Sequence, residues 1–402
     1  MTDRELLWQL ARAGLAAVDP HALTLRALAG FLFRGPVDVL AVGKAARAMA
    51  EGALDFLGHR LGEGLLVHPG GEPSSALDRH FCSLTAAHPV PDATSLHAGI
   101  ESLAWAAARP EGREVLLLVS GGASSLLEAL PEGVPGEALV ALNQWALASG
   151  NDIRCVNGLR RRLSLVKDGR LLARLAHCRV TALYLSDVPG DDPTVLASGL
   201  LGRAAVADPL PADLPPKLAT WLEAVDLSPG HSPPTRLACI GSVATAVAAV
   251  GEAGAALGLP PPGRVCLEGP VEGALAALRG CLERPATSWF VAGGETTIRL
   301  PPRPGQGGRN QHLALLAAHW LEQRGEGALL ALATDGRDGP GHAAGALVDS
   351  TTLGRGRAAG FDPAHSLASA SSGSLLAATG DLLVTGSTGT NVGDLVIGKI
   401  NP

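Results

Sequence analysis

VDVLAV at residues 37–42, the pair Gly43-Lys44, and AARAMAEGAL at 45–54 form the stretch that decides the fold. A run of strand length, apolar except for Asp38, meets a glycine turn and passes into an Ala-rich segment of helical composition. The same unit recurs along the chain. VLLLV (115–119) leads through Ser120-Gly121-Gly122 into ASSLLEAL (123–130), and TALYL (181–185) leads into the loop SDVPGDDP (186–193). LACIG (237–241) precedes Ser242 and an Ala/Val-rich helix, and WFVAGG (289–294) precedes Glu295. ALLALAT (328–334) runs into DGRDGPG, and LLVTGSTGTNVGDLVIG (382–398) reads as two strands around a turn. Continuous apolar strands alternating with helices predict parallel sheets covered on both faces. Ligands of such sheets bind beyond the carboxyl ends of the strands, where all these turns lie.

With 402 residues the chain is long enough for two domains. The Pro-rich stretch 208–235 (DPLPADLPPKL, then DLSPGHSPPTR) marks the expected boundary, dividing a domain at 1–230 from one at 231–402. Residues 382–402 are candidates to pack back on the first domain, and a ligand site is expected between the two. The amino-terminal segment, with Leu6, Leu7, Leu10 and Ala13 at helical spacing, predicts an amphipathic helix and holds no signal-peptide core. No apolar run reaches the roughly 18 residues of a membrane span, so a cytoplasmic protein is expected. A net charge of −6 argues against nucleic acid as a partner. The six cysteines show no zinc spacing and read as buried small side chains. A homodimer is left open by the sequence.

The phosphate-binding possibilities narrow quickly. Lys44 is followed by Ala, and no other Lys precedes Ser or Thr, so the Walker A pattern is missing. G-x-G-x-x-G is missing from the strand–helix turns as well, which weakens a dehydrogenase reading. Lys44 stands between a strand and a helix start, where an ammonium adds to the positive helix end and attracts anions. Lysines are few (Lys44, Lys167, Lys217, Lys399), which singles this one out. Ser120, Gly121 and Gly122 allow close backbone approach to an anion or simply make a tight turn. Asp187, Asp191 and Asp192 are grouped oxygen donors of the kind Mg²⁺ takes, or plain turn formers. Gly293, Gly294 and Glu295 end one strand; Arg309-Asn310 follows a Gly-rich loop and offers a planar fork for phosphate; Asp335 ends another strand.

Longer motifs carry a resemblance over nearly the whole chain. They are AVGKAA (41–46), HPVPD (88–92), LLLVSGG (116–122), SGNDI (149–153) with Asn157 and Arg160, and LSDVPGDDPTVLASG (185–199). In the second half they are GGETT (293–297), GQGGRNQHLAL (305–315), ATDGRDGP (333–340), AAGALVD (343–349) and TGTNVGDL (388–395). On these the chain resembles the glycerate kinases that have a MOFRL domain, a family also often labelled hydroxypyruvate reductase. The resemblance implies an α/β protein with a larger N-terminal Rossmann-like α/β/α sandwich and a smaller C-terminal α/β domain. It also implies ATP- and Mg²⁺-dependent phosphorylation of D-glycerate, usually at the 2-hydroxyl.

The family's essential lysine falls on Lys44, its essential arginine on Arg309 and an important aspartate on Asp335; a further family arginine falls on Arg160. Gly43, Ser120, Gly121, Gly122, Asn157, Arg160, Gly293, Gly294, Glu295 and Asn310 are the expected substrate and nucleotide contacts, and Asp187 and Asp191 the expected metal ligands. The chain departs from the family pattern at Gln306, His312, Arg337, Gly341 and His342, and its SGGAS stands where SGGGS is usual. The departures at Gln306, Arg337, Gly341 and His342 fall near the nucleotide and phosphate region that the resemblance implies, and bear on substrate preference and rate more than on reaction class. The alternatives are an NAD(P)H-dependent hydroxypyruvate reductase and a non-catalytic protein that binds sugar acids or nucleotides.

Overall fold

The computed structural model describes residues 1–70, 76–149, 153–203, 210–225, 227, 235–284 and 287–400. Asn151, Asp152 and, within the Pro-rich stretch at 208–235, residues 208–209, 226 and 228–234 lie outside the described residues. The chain divides into two compact units, Pro20–Ile240 and a second made of Met1–Asp19 with Gly241–Pro402.

Six strands build the sheet of the first unit: β1 (Val37–Val42), β2 (Leu61–His68), β3 (Phe81–Thr85), β4 (Glu114–Val119), β5 (Arg179–Ser186) and β6 (Thr235–Ser242). Their order is β3-β2-β1-β4-β5-β6. The pairs β1–β2, β2–β3, β1–β4 and β4–β5 are all parallel. Every residue of β1 and β4 is buried, so both faces of the sheet are covered. The chain passes outward from β1 to β2 and β3, then returns to β4 on the other side of β1. That reversal makes the carboxyl ends of β1 and β4 the switch point of a doubly wound sheet, where ligands settle.

The second sheet contains β7 (Gly263–Leu267), β8 (Trp289–Gly294), β9 (Ala328–Ala333), β10 (Gly345–Asp349), β11 (Leu382–Leu383) and β12 (Asp394–Lys399). Its order is β11-β10-β9-β12-β8-β7. Only β7–β8 is parallel; β12 pairs antiparallel with both β8 and β9, and β10 pairs antiparallel with β9 and β11. The expected parallel sheet is therefore mixed here. An unbroken apolar run reports burial on both faces and is silent about direction.

Two further expectations differ from the structure. Residues 382–398 are not a strand pair: β11 joins the sheet edge at β10, and β12 fills the middle of the C-terminal sheet between β8 and β9. The first helix, Asp3–Ala17, goes with the C-terminal unit, although it falls in the expected 1–230 segment. Thr2 and Glu5 form a capping box at its start. Its apolar stripe, Leu6, Leu7 and Leu10, is buried with Trp289, Leu330, Leu395 and Ile397. No described helix is long and apolar enough to cross a membrane.

Candidate active site

The switch point of the first sheet is built from two turns locked together. Gly43 ends β1 at φ +128°, and a Cβ there would stand 2.1 Å from Ser120 Oγ and 2.6 Å from its carbonyl oxygen. Only glycine permits that approach. Ser120 is fully buried; its N–H donates to Val42 O at 3.0 Å and its Oγ accepts from Ala45 N–H at 3.0 Å. Lys44 N–H donates to Gly121 O at 2.9 Å. Gly122 has φ +84°, and a Cβ on it would meet the His88 ring at 3.0 Å and Lys44 Cγ at 3.2 Å.

The fold thus gathers Gly43, Lys44, Ser120, Gly121 and Gly122 on one rim and adds His88, which spacing arguments did not select. The helix expected over 123–130 is only Ala123–Leu126. Leu127 turns extended, Ala129 O accepts from Leu165 N–H at 2.7 Å, and Glu128 leaves to meet a lysine. The Ser120–Gly122 turn therefore opens a single helical turn, and Gly121 is itself buried.

A second polar group is joined to that rim. Ser124 Oγ lies 2.7 Å from Ser198 Oγ, which donates to Asn157 Oδ1 at 2.9 Å. Arg160 stands one turn beyond Asn157 on the helix Ile153–Arg162. It donates through Nη1 to Asn157 Oδ1 at 3.5 Å and through Nη2 to Asn143 Oδ1 at 3.1 Å. Both partners are neutral amides, and among the described residues no carboxylate pairs with this guanidinium. Burial pulls the Arg160 pKa down, and Glu128 partly opposes that. Lys167 and Glu128, both almost wholly buried, form a hydrogen-bonded ion pair with each other. Burial also lowers the Lys167 pKa, against the pull of Glu128. Ser124 and Ser198 lie inside quoted motifs but carried no signal of their own, and Asn143 lies in none, since single Ser and Asn residues are common in turns and on helix faces.

The loop after β5 carries the expected metal ligands. Asp187 is partly buried, and Asp191 has φ +55° with its carbonyl accepting from Tyr184 Oη at 2.9 Å. Asp192 is committed to the loop itself: its Oδ1 accepts from Thr194 N–H at 2.8 Å and Thr194 Oγ1 at 2.7 Å. Among the described residues no cluster of three or more His, Cys, Asp or Glu is placed to hold a metal ion. Two partly exposed carboxylates nevertheless fit Mg²⁺, which takes one or two protein oxygens and completes its shell with water and phosphate.

The C-terminal sheet presents its own rim. Gly294 ends β8 at φ +143°, where a Cβ would come within 2.2 Å of Leu267 O. Glu295 N–H donates to that same carbonyl at 3.0 Å. Because β12 runs antiparallel between β8 and β9, its first residue, Asp394, faces Gly294 on one side and Ala333 on the other. Arg309 opens the helix Arg309–Arg324 and reaches this point. Its Nε donates to Asp394 Oδ2 at 2.7 Å and its Nη2 to Asp394 Oδ1 at 3.1 Å, while Nη1 lies 2.5 Å from Glu295 Oε1.

The two carboxylates differ sharply. The Asp394 side chain is 1% exposed and that of Glu295 is 47% exposed. Burial pushes the Asp394 carboxyl up to about 6, against the pull of Arg309 and Asn310. Burial would lower the Arg309 pKa, but Asp394 and Glu295 more than reverse it.

Asp338 anchors the start of that helix. Its Oδ1 accepts from Asn310 N–H at 3.0 Å and its Oδ2 from Gln311 N–H at 2.8 Å, the role of a cap supplied from a distant loop. Asn310 is fully buried, and its Nδ2 also donates to Asp338 Oδ1, at 3.4 Å. Asp335, two residues beyond Ala333 on the same rim, is half-buried and accepts from Arg337 N–H at 2.9 Å. The structure thus brings Gly294, Glu295, Arg309 and Asp394 together, with Asp335 nearby along the sheet edge. Asp394 was quoted only as part of a motif; its place on the rim depends on the antiparallel direction of β12.

Two α/β units, each with a cation at the rim of its sheet, define a protein built to handle anionic small molecules. The comparisons with known proteins agree with that class. A profile described as a domain of unknown function (DUF4147) matches residues 6–209, and the MOFRL family profile matches residues 288–394. D-glycerate 2-kinase of Thermotoga maritima is 34% identical over 99% of this chain and 98% of its own length. A protein of Agrobacterium vitis provisionally named a hydroxypyruvate reductase is also 34% identical, over 98% of this chain and 94% of its own. A crystal structure of glycerate kinase from Thermotoga maritima superposes with a TM-score of 0.83 at 31% identity, covering 99% of each chain. The chain belongs to the glycerate kinase family with a MOFRL domain.

Proposed function

We propose that the protein transfers the γ-phosphoryl group of ATP to the 2-hydroxyl of D-glycerate, giving 2-phosphoglycerate and ADP. The observation that carries this reading is similarity over the whole chain to a D-glycerate 2-kinase. The switch-point lysine and the carboxylate-held arginine supply the chemistry such a transfer needs. In the reaction the hydroxyl oxygen attacks the γ-phosphorus, and the bond from that phosphorus to the bridging oxygen of ADP breaks. Catalysis of this step is mostly positioning and charge neutralisation. Lys44 and Arg309 are the cations for the transferring phosphoryl group. Asp335 orients the glycerate hydroxyl and accepts its proton.

The turns at 43–44 and 120–122 and the strand end at 293–295 are the backbone offered to phosphate, with Asn157, Arg160 and Glu295 as side-chain contacts; the fully buried Asn310 acts from behind, on Asp338. Asp187 and Asp191 are the carboxylates that would hold Mg²⁺. Mg²⁺ held there would neutralise negative charge on the phosphates. The runner-up, a hydroxypyruvate reductase, rests on the name of the Agrobacterium relative. The turn after β1 reads Gly-Lys-Ala-Ala-Arg-Ala, which lacks the glycines a dinucleotide pyrophosphate needs there.

ADP release from ATP, followed by a coupled assay with and without D-glycerate and Mg²⁺, tests the proposal. Glycerate- and Mg²⁺-dependent ADP formation is expected. Oxidation of NADH or NADPH with hydroxypyruvate, in place of ADP formation, would select the reductase.

A further inference from the structure

Arg309 is held by two carboxylates with different roles. Asp394 grips the guanidinium from the side, each of its oxygens accepting one N–H, at 2.7 and 3.1 Å. Such a two-point contact fixes the plane of the guanidinium as well as its position. The backbone of Asp394 is equally fixed, since β12 is paired on both flanks by β8 and β9. The helix that carries Arg309 is pinned separately, by Asp338 on the N–H groups of Asn310 and Gln311. Three independent constraints therefore converge on one side chain. They leave a single edge of it, Nη1, turned toward the half-exposed Glu295. A carboxylate buried this deeply is costly to keep, and helix packing alone does not require it, because Asp338 already caps the helix.

We propose that Asp394 is a positioning residue, fixing the plane of the Arg309 guanidinium so that a transferring phosphoryl group can take its Nη1 edge in competition with Glu295. Asp394 touches neither substrate nor nucleotide and acts only through Arg309. The inference rests on the reading of Arg309 as a catalytic cation. Displacing a reacting or stabilising group by about 1 Å costs on the order of 10²-fold in rate. That is the size of effect expected when the grip is lost but the guanidinium remains.

The test is a double-mutant cycle on the full-length enzyme with Mg²⁺, ATP and D-glycerate, comparing wild type, Arg309→Ala, Asp394→Asn and the double variant. Circular dichroism checks that each is folded at the assay temperature. Asp394→Asn is expected to lower kcat by about 10²-fold, with KM for both substrates changed far less. The double variant is expected to match Arg309→Ala alone, because residues that act as a unit are not additive.

Wild-type kcat in Asp394→Asn, alongside an inactive Arg309→Ala, would overturn the positioning role and leave the Arg309 reading intact. A further loss on adding Asp394→Asn to Arg309→Ala would overturn it too, since Asp394 would then act on its own. Full activity in Arg309→Ala would remove the catalytic reading of Arg309 and this proposal with it. If Asp394→Asn does not fold, Asp394→Ser, smaller and still polar, serves in the same cycle with the same expectations.

Discussion

Arg160 and Arg309 are both largely buried arginines near proposed phosphate contacts, and they are prepared in opposite ways. Arg160 rests against two neutral amides, Asn157 and Asn143. Two charges that act on it, Lys167 and Glu128, are paired with each other. Its guanidinium is oriented, and among the described residues no carboxylate pairs with it directly, so an arriving anion would gain the attraction of a largely desolvated cation. Arg309 is already compensated, by Asp394 in the core and Glu295 at the surface. An anion reaching Arg309 must compete with Glu295, so its benefit falls on the geometry of the reacting group more than on ground-state affinity. On the proposed function, binding would fall mainly to Arg160 and rate mainly to Arg309.

That division can be broken experimentally. The largest effect is expected from Arg309→Ala: a loss of kcat/KM of roughly 10³-fold, carried mainly by kcat, as for other catalytic cations of phosphoryl transfer. Steady-state kinetics checks it, and a loss confined to KM would put Arg309 in the binding class instead. Next is Glu128→Gln, which leaves Lys167 buried without its partner. Breaking a buried pair costs about 3 kcal/mol of folding stability. Urea unfolding at pH 7 reads that loss as a lower midpoint; an unchanged midpoint would mean the pair is not structural.

Arg160→Gln should raise KM for one anionic substrate by about tenfold, equivalent to about 1.4 kcal/mol, with kcat little altered. A fall in kcat instead would merge the two classes. The smallest effect concerns pH. With its carboxyl pushed up to about 6 by burial, Asp394 takes a proton as pH drops through that value. It then keeps fewer lone pairs for Arg309, so kcat should decline on the acid side. Arg309 and Glu295 are the other charged groups facing it. Comparing pH–kcat profiles of wild type and Asp394→Asn isolates this limb, which the variant should lack.

The repeat of strand, glycine turn and helix made the α/β class legible from the sequence, because burial on both faces writes itself as unbroken apolar runs. VDVLAV and VLLLV became the adjacent strands β1 and β4, and the turns after them became one locked rim. Three features were not legible, for separate physical reasons. The direction of β12 leaves no trace in composition, so Asp394 could not be placed beside Arg309 from strand ends alone. Asp338 reads as a turn residue in DGRDGPG, yet it caps a helix that begins 29 positions earlier. The first helix shows its apolar stripe plainly, but a stripe does not name the sheet it will cover.

The most direct test of the central claim is the identity of the product. Purified protein would be incubated with ATP, Mg²⁺ and D-glycerate, and the phosphorylated product examined by ³¹P NMR with proton coupling. The account predicts one glycerate monophosphate whose phosphorus is split by a single C2 proton, formed only when Mg²⁺ is present. Splitting by two C3 protons would place the phosphate on the wrong hydroxyl, and ATP left intact by folded protein would contradict the glycerate kinase assignment itself.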